Sequence, residues 1–195
     1  MSTTGSGGAT TTSSETGGGG GATTTSTTTS GLCMDGGQGS AMGSIYPSDC
    51  PCRPEAEAYL PQIAQAVIQK YQSAGALCAS AIPVPAVVPA GTGYNPATLD
   101  GMDFYTGDDQ TGWVCAGWTP PVGFGVHCQF GFSVGSGYAG PAVGGPDPGA
   151  DGFEVWARGD TNGDVILSTF TIPATFDPQT GTYALGAMFE HQPDE

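Results

Sequence analysis

The stretch FEVWARGDTNGDVILSTF, residues 153–170, decides how the C-terminal half of the chain folds. Phe153, Val155 and Ala157 alternate with Glu154, Trp156 and Arg158, and a second alternating run leads to Phe170. Period-two alternation on both sides of a Gly/Asn/Asp knot is the pattern of two strands and a turn. Asn162 and Gly163 supply the strongest two-residue turn signal, because both central positions of such a turn need positive φ. The same knot contains Asp160, Asn162 and Asp164, the D-x-N-x-D opening of a calcium loop. A full loop then requires Gly at the sixth position and a bidentate Glu at the twelfth. Val165 and Thr171 stand there instead, so half of the ligand set is missing. The residues therefore read as a hairpin turn, with weak calcium binding at Asp160, Asn162 and Asp164 as the minor alternative. Arg158, Gly159 and Asp160 also spell an adhesion tripeptide, but Arg158 is better explained as the end of a strand.

Working outward, other periodic runs follow the same rule. Gly112 to Trp118, Phe124 to Val134, Asp164 to Ile172 and Tyr183 to Glu190 are further candidate strands, rich in Val, Ile, Phe, Trp and Thr. Between them, residues 135–152 are rich in Gly and Pro and are expected to form a mobile loop. Upstream, the spacing changes. In RPEAEAYLPQIAQAVIQKYQSAG, residues 53–75, apolar side chains fall at Ala56, Tyr59, Leu60, Ile63, Ala64, Val67, Ile68 and Tyr71. That is the three-and-four spacing of one helical face. Pro54 suits the first helical position and Gly75 the stop, whereas Pro61 should kink the helix or mark its true first turn. Residues 79–101 carry several prolines and glycines and are expected to cross the surface as a loop. One N-terminal amphipathic helix laid on an antiparallel β-meander gives an α+β domain, since neither element can bury its apolar face alone.

Composition bounds what such a domain can do. Residues 2–31 contain only Ala9, Glu15 and Ala22 besides Gly, Ser and Thr. They cannot bury enough apolar surface to offset the entropy of ordering. Residues 1–32 are thus expected to be a disordered tether, residues 33–53 an irregular cysteine-containing segment, and residues 54–195 the globular domain. The chain has 18 acidic residues against 3 basic ones, a net charge of −15. Nucleic-acid binding draws its affinity from clustered Lys and Arg on phosphate, so that class is excluded. Charge-driven attachment to an anionic membrane is excluded on the same ground.

There are six cysteines, at positions 33, 50, 52, 78, 115 and 128. An even number beside a Thr/Ser/Gly tether points to an oxidising compartment and a disulfide framework. Zinc is the weaker alternative, because Cys50 and Cys52 are separated by a single residue and no His lies nearby. Met1 is followed by polar residues without an apolar core of a signal peptide, and no apolar stretch is long enough to span a bilayer. An exported protein would then take its signal from sequence upstream of Met1. Trp113, Trp118 and Trp156, with Phe124, Phe130 and Phe132, form a candidate stacking platform for sugars, although aromatic residues in a small sheet more often make the core. His127 and His191 sit in no hydrolase elbow, zincin helix or phosphate loop, and His127 and Cys128 would point to opposite faces of a strand. No enzymatic activity and no cofactor are expected.

The co-linear segments YLPQIAQAVIQKYQ (59–72), CASAIPVPAVVPAG (78–91), TGDDQTGWVCAGW (106–118) and FEVWARGDTNGDVILSTFTI (153–172) carry a resemblance. Their order resembles the globular head domain of bacterial type IV pilin-like proteins, most closely the deltaproteobacterial and myxobacterial type. Gly112, Trp113 and Cys115 match its Gly-Trp-x-Cys segment. Gly159, Asp160, Asn162, Gly163, Asp164, Ser168, Thr169 and Phe170 match its late hairpin. The resemblance covers residues 54–195. It implies a non-enzymatic structural or cell-surface interaction protein, related to type IV pilus or type II secretion pseudopilin subunits. Its location would be extracellular, cell-surface or periplasmic, and its partner a protein, a surface or a second copy. Where a pilin has a long apolar helix this sequence has the tether, so a head without the polymerising part is implied. The resemblance also implies a Cys78–Cys115 bridge, with Cys128 paired to Cys33, Cys50 or Cys52. Closing such long loops stabilises a domain by roughly 3–5 kcal/mol per bridge. The alternative to a pilin-like protein is a secreted carbohydrate- or calcium-dependent binding module.

Overall fold

A computed structural model describes residues 52–123, 125–135 and 145–191. The tether, Cys33, Cys50, Phe124 and the middle of the 135–152 loop lie outside these residues. The element order is α1 (Cys52–Ala74), β1 (Ala81–Val84), a single 3-10 turn (Asp103–Tyr105), α2 (Gly112–Ala116), β2 (Gln129–Val134), β3 (Phe153–Gly159), β4 (Ser168–Asp177), β5 (Thr182–Leu185) and β6 (Phe189–His191). The architecture is α+β. One long helix lies on a six-stranded antiparallel sheet of order β1-β2-β3-β4-β5, with β6 also paired to β4.

Helix α1 follows from its stripe. Ala56, Leu60, Ile63, Ala64, Val67 and Ile68 are all buried, and Tyr59 and Tyr71 flank them half-buried. Gly75, at φ 73°, ends the helix, and its N–H bonds the Tyr71 carbonyl at 2.7 Å. Pro61 lies inside the helix on its exposed side. The carbonyl of Glu57, which Pro61 leaves without an N–H partner, is therefore on the wet side of the helix, where water can replace the lost bond.

The sheet turns one set of side chains toward α1 and the other away. Phe130 and Phe132 of β2 stand opposite Ala157 and Val155 of β3, and Val155 and Ala157 stand opposite Ile172 and Phe170 of β4. These residues form the layer under the helix. The alternate set comprises Gln129, Ser133, Glu154, Trp156, Thr169 and Thr171, and it too is buried. The segment after β1 closes over part of this second face. The Gln129 amide donates to the Pro85 carbonyl at 2.8 Å, and Gly91 N–H donates to the Asp160 carbonyl at 3.0 Å. The loop expected at 79–101 thus crosses the sheet, and its first residues also add the edge strand β1.

Four strand assignments need correction. Phe124 to Val134 shortens to Gln129–Val134, because residues 125–128 precede the ladder with β3. Gly112 to Trp118 is not a strand: Gly112–Ala116 is one helical turn, entered at φ 67° and left through Gly117 at φ 66°. Both ends need left-handed backbone, and the turn drives Trp113 and Cys115 into the core. Asp164 to Ile172 becomes Ser168–Asp177, because Asp164 to Leu167 belong to the connecting loop. Tyr183 to Glu190 is one strand broken into β5 and β6. Their registers against β4 differ by one residue, since Ala174 faces Leu185 whereas Thr171 faces Phe189. The cause is Pro173. Its carbonyl points to this side and accepts Gly186 N–H at 2.8 Å, so its missing N–H is lost from the same ladder. A Cβ on Gly186 would meet the Pro173 ring at 2.8 Å, which keeps this bulge residue a glycine.

Because Pro61 is exposed and interrupts an otherwise continuous ladder, Pro61→Ala should raise stability by roughly 1–3 kcal/mol. Thermal melts of the oxidised protein test this, and a lowered midpoint would show that the proline shapes a packing contact.

Candidate functional site

The N-terminal turn of α1 gathers several chemically active groups. Cys52 is bonded to Cys128 and Cys78 to Cys115, with Cα–Cα distances of 5.1 and 5.7 Å. One helical turn after Cys52, Glu55 meets the residues beside Cys128. Its carboxylate accepts the His127 N–H at 2.8 Å and the Cys128 N–H at 3.1 Å, and lies 2.8 Å from His127 Nδ1. An ionised Glu55 requires the proton on Nδ1, which fixes the neutral tautomer of His127. The Glu55 side chain is 12% exposed, so its charge is satisfied by backbone donors and the imidazole rather than by bulk water. Arg53 extends the cluster, reaching Glu57 at 2.9 Å and Glu190 of β6 at 3.1 Å. The sequence pattern does not reveal this clamp. Once Cys52 pairs with Cys128, Glu55 must fall beside His127, but the helix phase alone does not say which cysteine is the partner.

The loop between β3 and β4 gathers donors around Asp160. Gly159 and Ser168 form the last strand pair, so the connection is longer than the two-residue turn expected at Asn162 and Gly163. Asp160 is 5% exposed, and its carboxylate accepts Gly163 N–H at 2.8 Å and Val165 N–H at 3.2 Å. Asn162 accepts Asp164 N–H, and Asp164 accepts Ile166 N–H, as successive Asx turns. The motif residues Asp160, Asn162 and Asp164 are therefore brought into one loop. Val165 takes φ 69° at the position where a calcium loop has glycine, at a steric cost for a β-branched residue. Thr171, at the twelfth position, is buried within β4 and provides no carboxylate. Among the described residues no group of three or more His, Cys, Asp or Glu is arranged to hold a metal ion.

Among the described residues, the aromatic side chains of the expected platform are buried in the fold. Trp113, Trp118 and Trp156 are 0%, 6% and 2% exposed, so none presents a ring face to a sugar. Trp113 and Trp118 pack with Phe104, Phe130, Phe132 and Tyr59 in front of β1 and β2. Trp113 Nε1 donates to the Ile82 carbonyl at 2.8 Å. Trp156 lies on the opposite face, across Gly131, with the Arg158 guanidinium 4.8 Å above its ring. That stacking turns Arg158 onto the sheet and away from an adhesion-type presentation.

A third polar knot fixes the long loop before α2. Asp103, at φ 45°, accepts the Tyr94 hydroxyl and the Ala97 N–H, each at 2.6 Å. The bond to Asp103 pushes the Tyr94 hydroxyl up to about 12, with burial and the Asp103 charge acting in the same direction. Tyr183 is also pushed up to about 12, first by burial and then by Tyr71 and the Asp151 charge. A shallow depression near this loop is lined by Pro96, Phe104, Tyr105, Pro120 and Val122 and presents no charged side chain.

Comparison with known family models, with curated proteins and with solved structures returned no match.

Glu55→Ala would strand the N–H groups of His127 and Cys128. Such groups cost about 1–3 kcal/mol each when buried and unsatisfied, so the variant should melt several degrees lower with its disulfides intact. An unchanged melt would show that water replaces the carboxylate. The raised tyrosines give a pH signature of defined sign. Their neutral forms are favoured in the fold, so their contribution is complete below the ordinary value of 10.0 and is lost as pH rises through about 12. Tyrosinate absorbance should show late-titrating tyrosines, and Asp103→Asn should bring Tyr94 down.

Proposed function

We propose that this chain is a non-enzymatic, exported, pilin-like domain with a structural or cell-surface interaction role, related to type IV pilus or type II secretion pseudopilin subunits. The observation that carries the reading is the position of the two disulfides. Cys52–Cys128 holds the first residue of α1 to the lead-in of β2, and Cys78–Cys115 holds the segment just after α1 to α2. Bridges at the start of the main helix and just beyond its end suit a domain that matures in an oxidising compartment. A long helix across an antiparallel meander, with a Gly-Trp-x-Cys segment and a late hairpin, agrees with the layout of pilin-like heads. Among the described residues no helix is long and apolar enough to cross a membrane.

The reading of the domain as non-catalytic draws support from how its polar residues are used. Glu55, Asp103 and Asp160 direct their carboxylates at the protein's own N–H groups. Such bonds organise loops. The sugar-binding alternative lacks an exposed tryptophan, and the calcium alternative lacks a third carboxylate.

The test is performed on cells expressing the chain with its natural upstream region. Non-reducing peptide mapping should recover Cys52–Cys128 and Cys78–Cys115, and an impermeant protease should reach the protein on intact cells or in the periplasm. Reduced thiols together with recovery in the cytoplasm would overturn the proposal.

A further inference from the structure

The two edges of the sheet are treated differently. At the β1 edge, the Trp113 indole donates to the Ile82 carbonyl, Ala79 exchanges bonds with Gln110 and Gly112, and Pro83 and Pro85 remove donors. These are devices that prevent a further strand from adding. At the other edge, β5 has the sequence TYAL, with no charge, no proline and no covering bond among the described residues. It pairs there with β4 alone.

The direction of the open groups follows from the ladder. Gly186 N–H points to Pro173 of β4, and antiparallel pairs alternate between bonded and non-bonded. Ala184 and Thr182 therefore turn their backbone groups toward β4, and Tyr183 and Leu185 turn theirs outward. Two donors and two acceptors face away from the sheet in the spacing that an added strand requires. Their side chains lie on the helix side, where Tyr183 stacks against Tyr71 and Phe176 with ring centroids at 5.0 and 5.1 Å. Tyr183 and Leu185 are half-buried, while Thr182 and Ala184 are exposed on the other face. An apolar step thus runs beside the open backbone.

Charge selects the occupant. Asp177 ends β4 opposite Thr182, and Asp151 supplies the carbonyl that receives the Tyr183 hydroxyl at 2.9 Å. The whole chain carries −15, so a second copy would bring like charge to the same edge. We propose that β5 is a strand-addition site for an extended segment of another polypeptide that alternates apolar residues with Lys or Arg. The apolar side chains of that segment lie against Tyr183, Leu185 and Tyr71, and its cations lie on the Thr182 and Ala184 face near Asp177. This inference rests on the reading of the domain as an interaction protein and specifies the chemistry of its partner.

The probe is a capped synthetic peptide of alternating Lys and Val, titrated into the full chain and followed by fluorescence anisotropy and amide hydrogen exchange. The expected result is saturable binding that slows exchange at Tyr183 and Leu185 and weakens with added salt. A Glu/Val peptide should bind at least about tenfold more weakly. Leu185→Pro removes one outward N–H without touching the β4 ladder, and it should abolish binding. Ala184→Lys places a cation on the edge and should weaken binding while leaving the backbone intact, which covers the case in which the proline variant does not fold. Absence of binding, binding unaffected by both folded variants, or slowed exchange elsewhere would overturn the proposal. Protection of Tyr183 and Leu185 that grows with protein concentration and without peptide would overturn it in favour of a second copy. A protein that reaches the cell surface with its bridges formed yet ignores the peptide would refute the edge site alone.

Discussion

The covalent attachment of the first residue of α1, and of the segment just after its last, is the constraint on which the rest of the structure depends. Cys52 and Cys128 are 76 residues apart in sequence, and Cys78 and Cys115 are 37 apart. Each bridge removes conformations from the unfolded chain, more so for the longer loop. The two bridges also fix geometry. The first sets where β2 begins, since Gln129 follows Cys128 directly, and the second sets where the α2 turn inserts its tryptophan. With those two points held, the apolar stripe of α1 has one way to lie across Phe130, Val155, Ala157 and Phe170.

What the sequence made legible depended on whether a local pattern had a competitor. Strand β3 was readable residue for residue, because Phe153 to Gly159 alternate without interruption and end at a turn. The α1 stripe was readable because its buried positions recur at helical spacing. The Gly112 to Trp118 segment misled because Trp113, Cys115 and Gly117 alternate as a strand would. The deciding fact was left-handed backbone at Gly112 and Gly117, which composition permits without announcing. Strand β1 was hidden among prolines, which are tolerated because it is an edge and needs partners on one side only. The break between β5 and β6 traces to Pro173, a residue on the neighbouring strand, and so lies beyond any pattern within residues 182–191.

The candidate sites divide in the same way. Asp160, Asn162 and Asp164 were visible as a motif, and the structure does place them in one loop. Yet the chemistry of that loop is directed inward, as Asp160 collects N–H groups that would otherwise be left without partners. The tryptophans were visible as a group but not as a surface, since burial depends on which face of each element meets the core. His127 was visible as one of two histidines, whereas Glu55 did not stand out from the other acidic residues. Their pairing depends on a disulfide partner that local spacing leaves open, and this is why the most ordered polar contact to α1 did not emerge from periodicity.

The low charge of the interior and the acidity of the surface follow from one economy of residue types. With 3 basic residues in the whole chain, few carboxylates can be neutralised by ion pairs. Arg53 bridges Glu57 and Glu190, and Arg158 lies over Trp156, so two of these cations are already engaged within the fold. The carboxylates of Glu55, Asp103 and Asp160, all at least partly buried, must therefore be satisfied by N–H and O–H donors. That requirement explains why each meets a stretch of chain that offers backbone donors: Glu55 meets the N–H groups of His127 and Cys128, Asp103 that of Ala97, and Asp160 those of Gly163 and Val165 in the β3–β4 loop. Asp100, Asp108, Asp109, Asp147, Asp151 and Asp164 are exposed and give the surface a negative field. The proposed strand-addition edge at β5 would join that field to directed backbone hydrogen bonds.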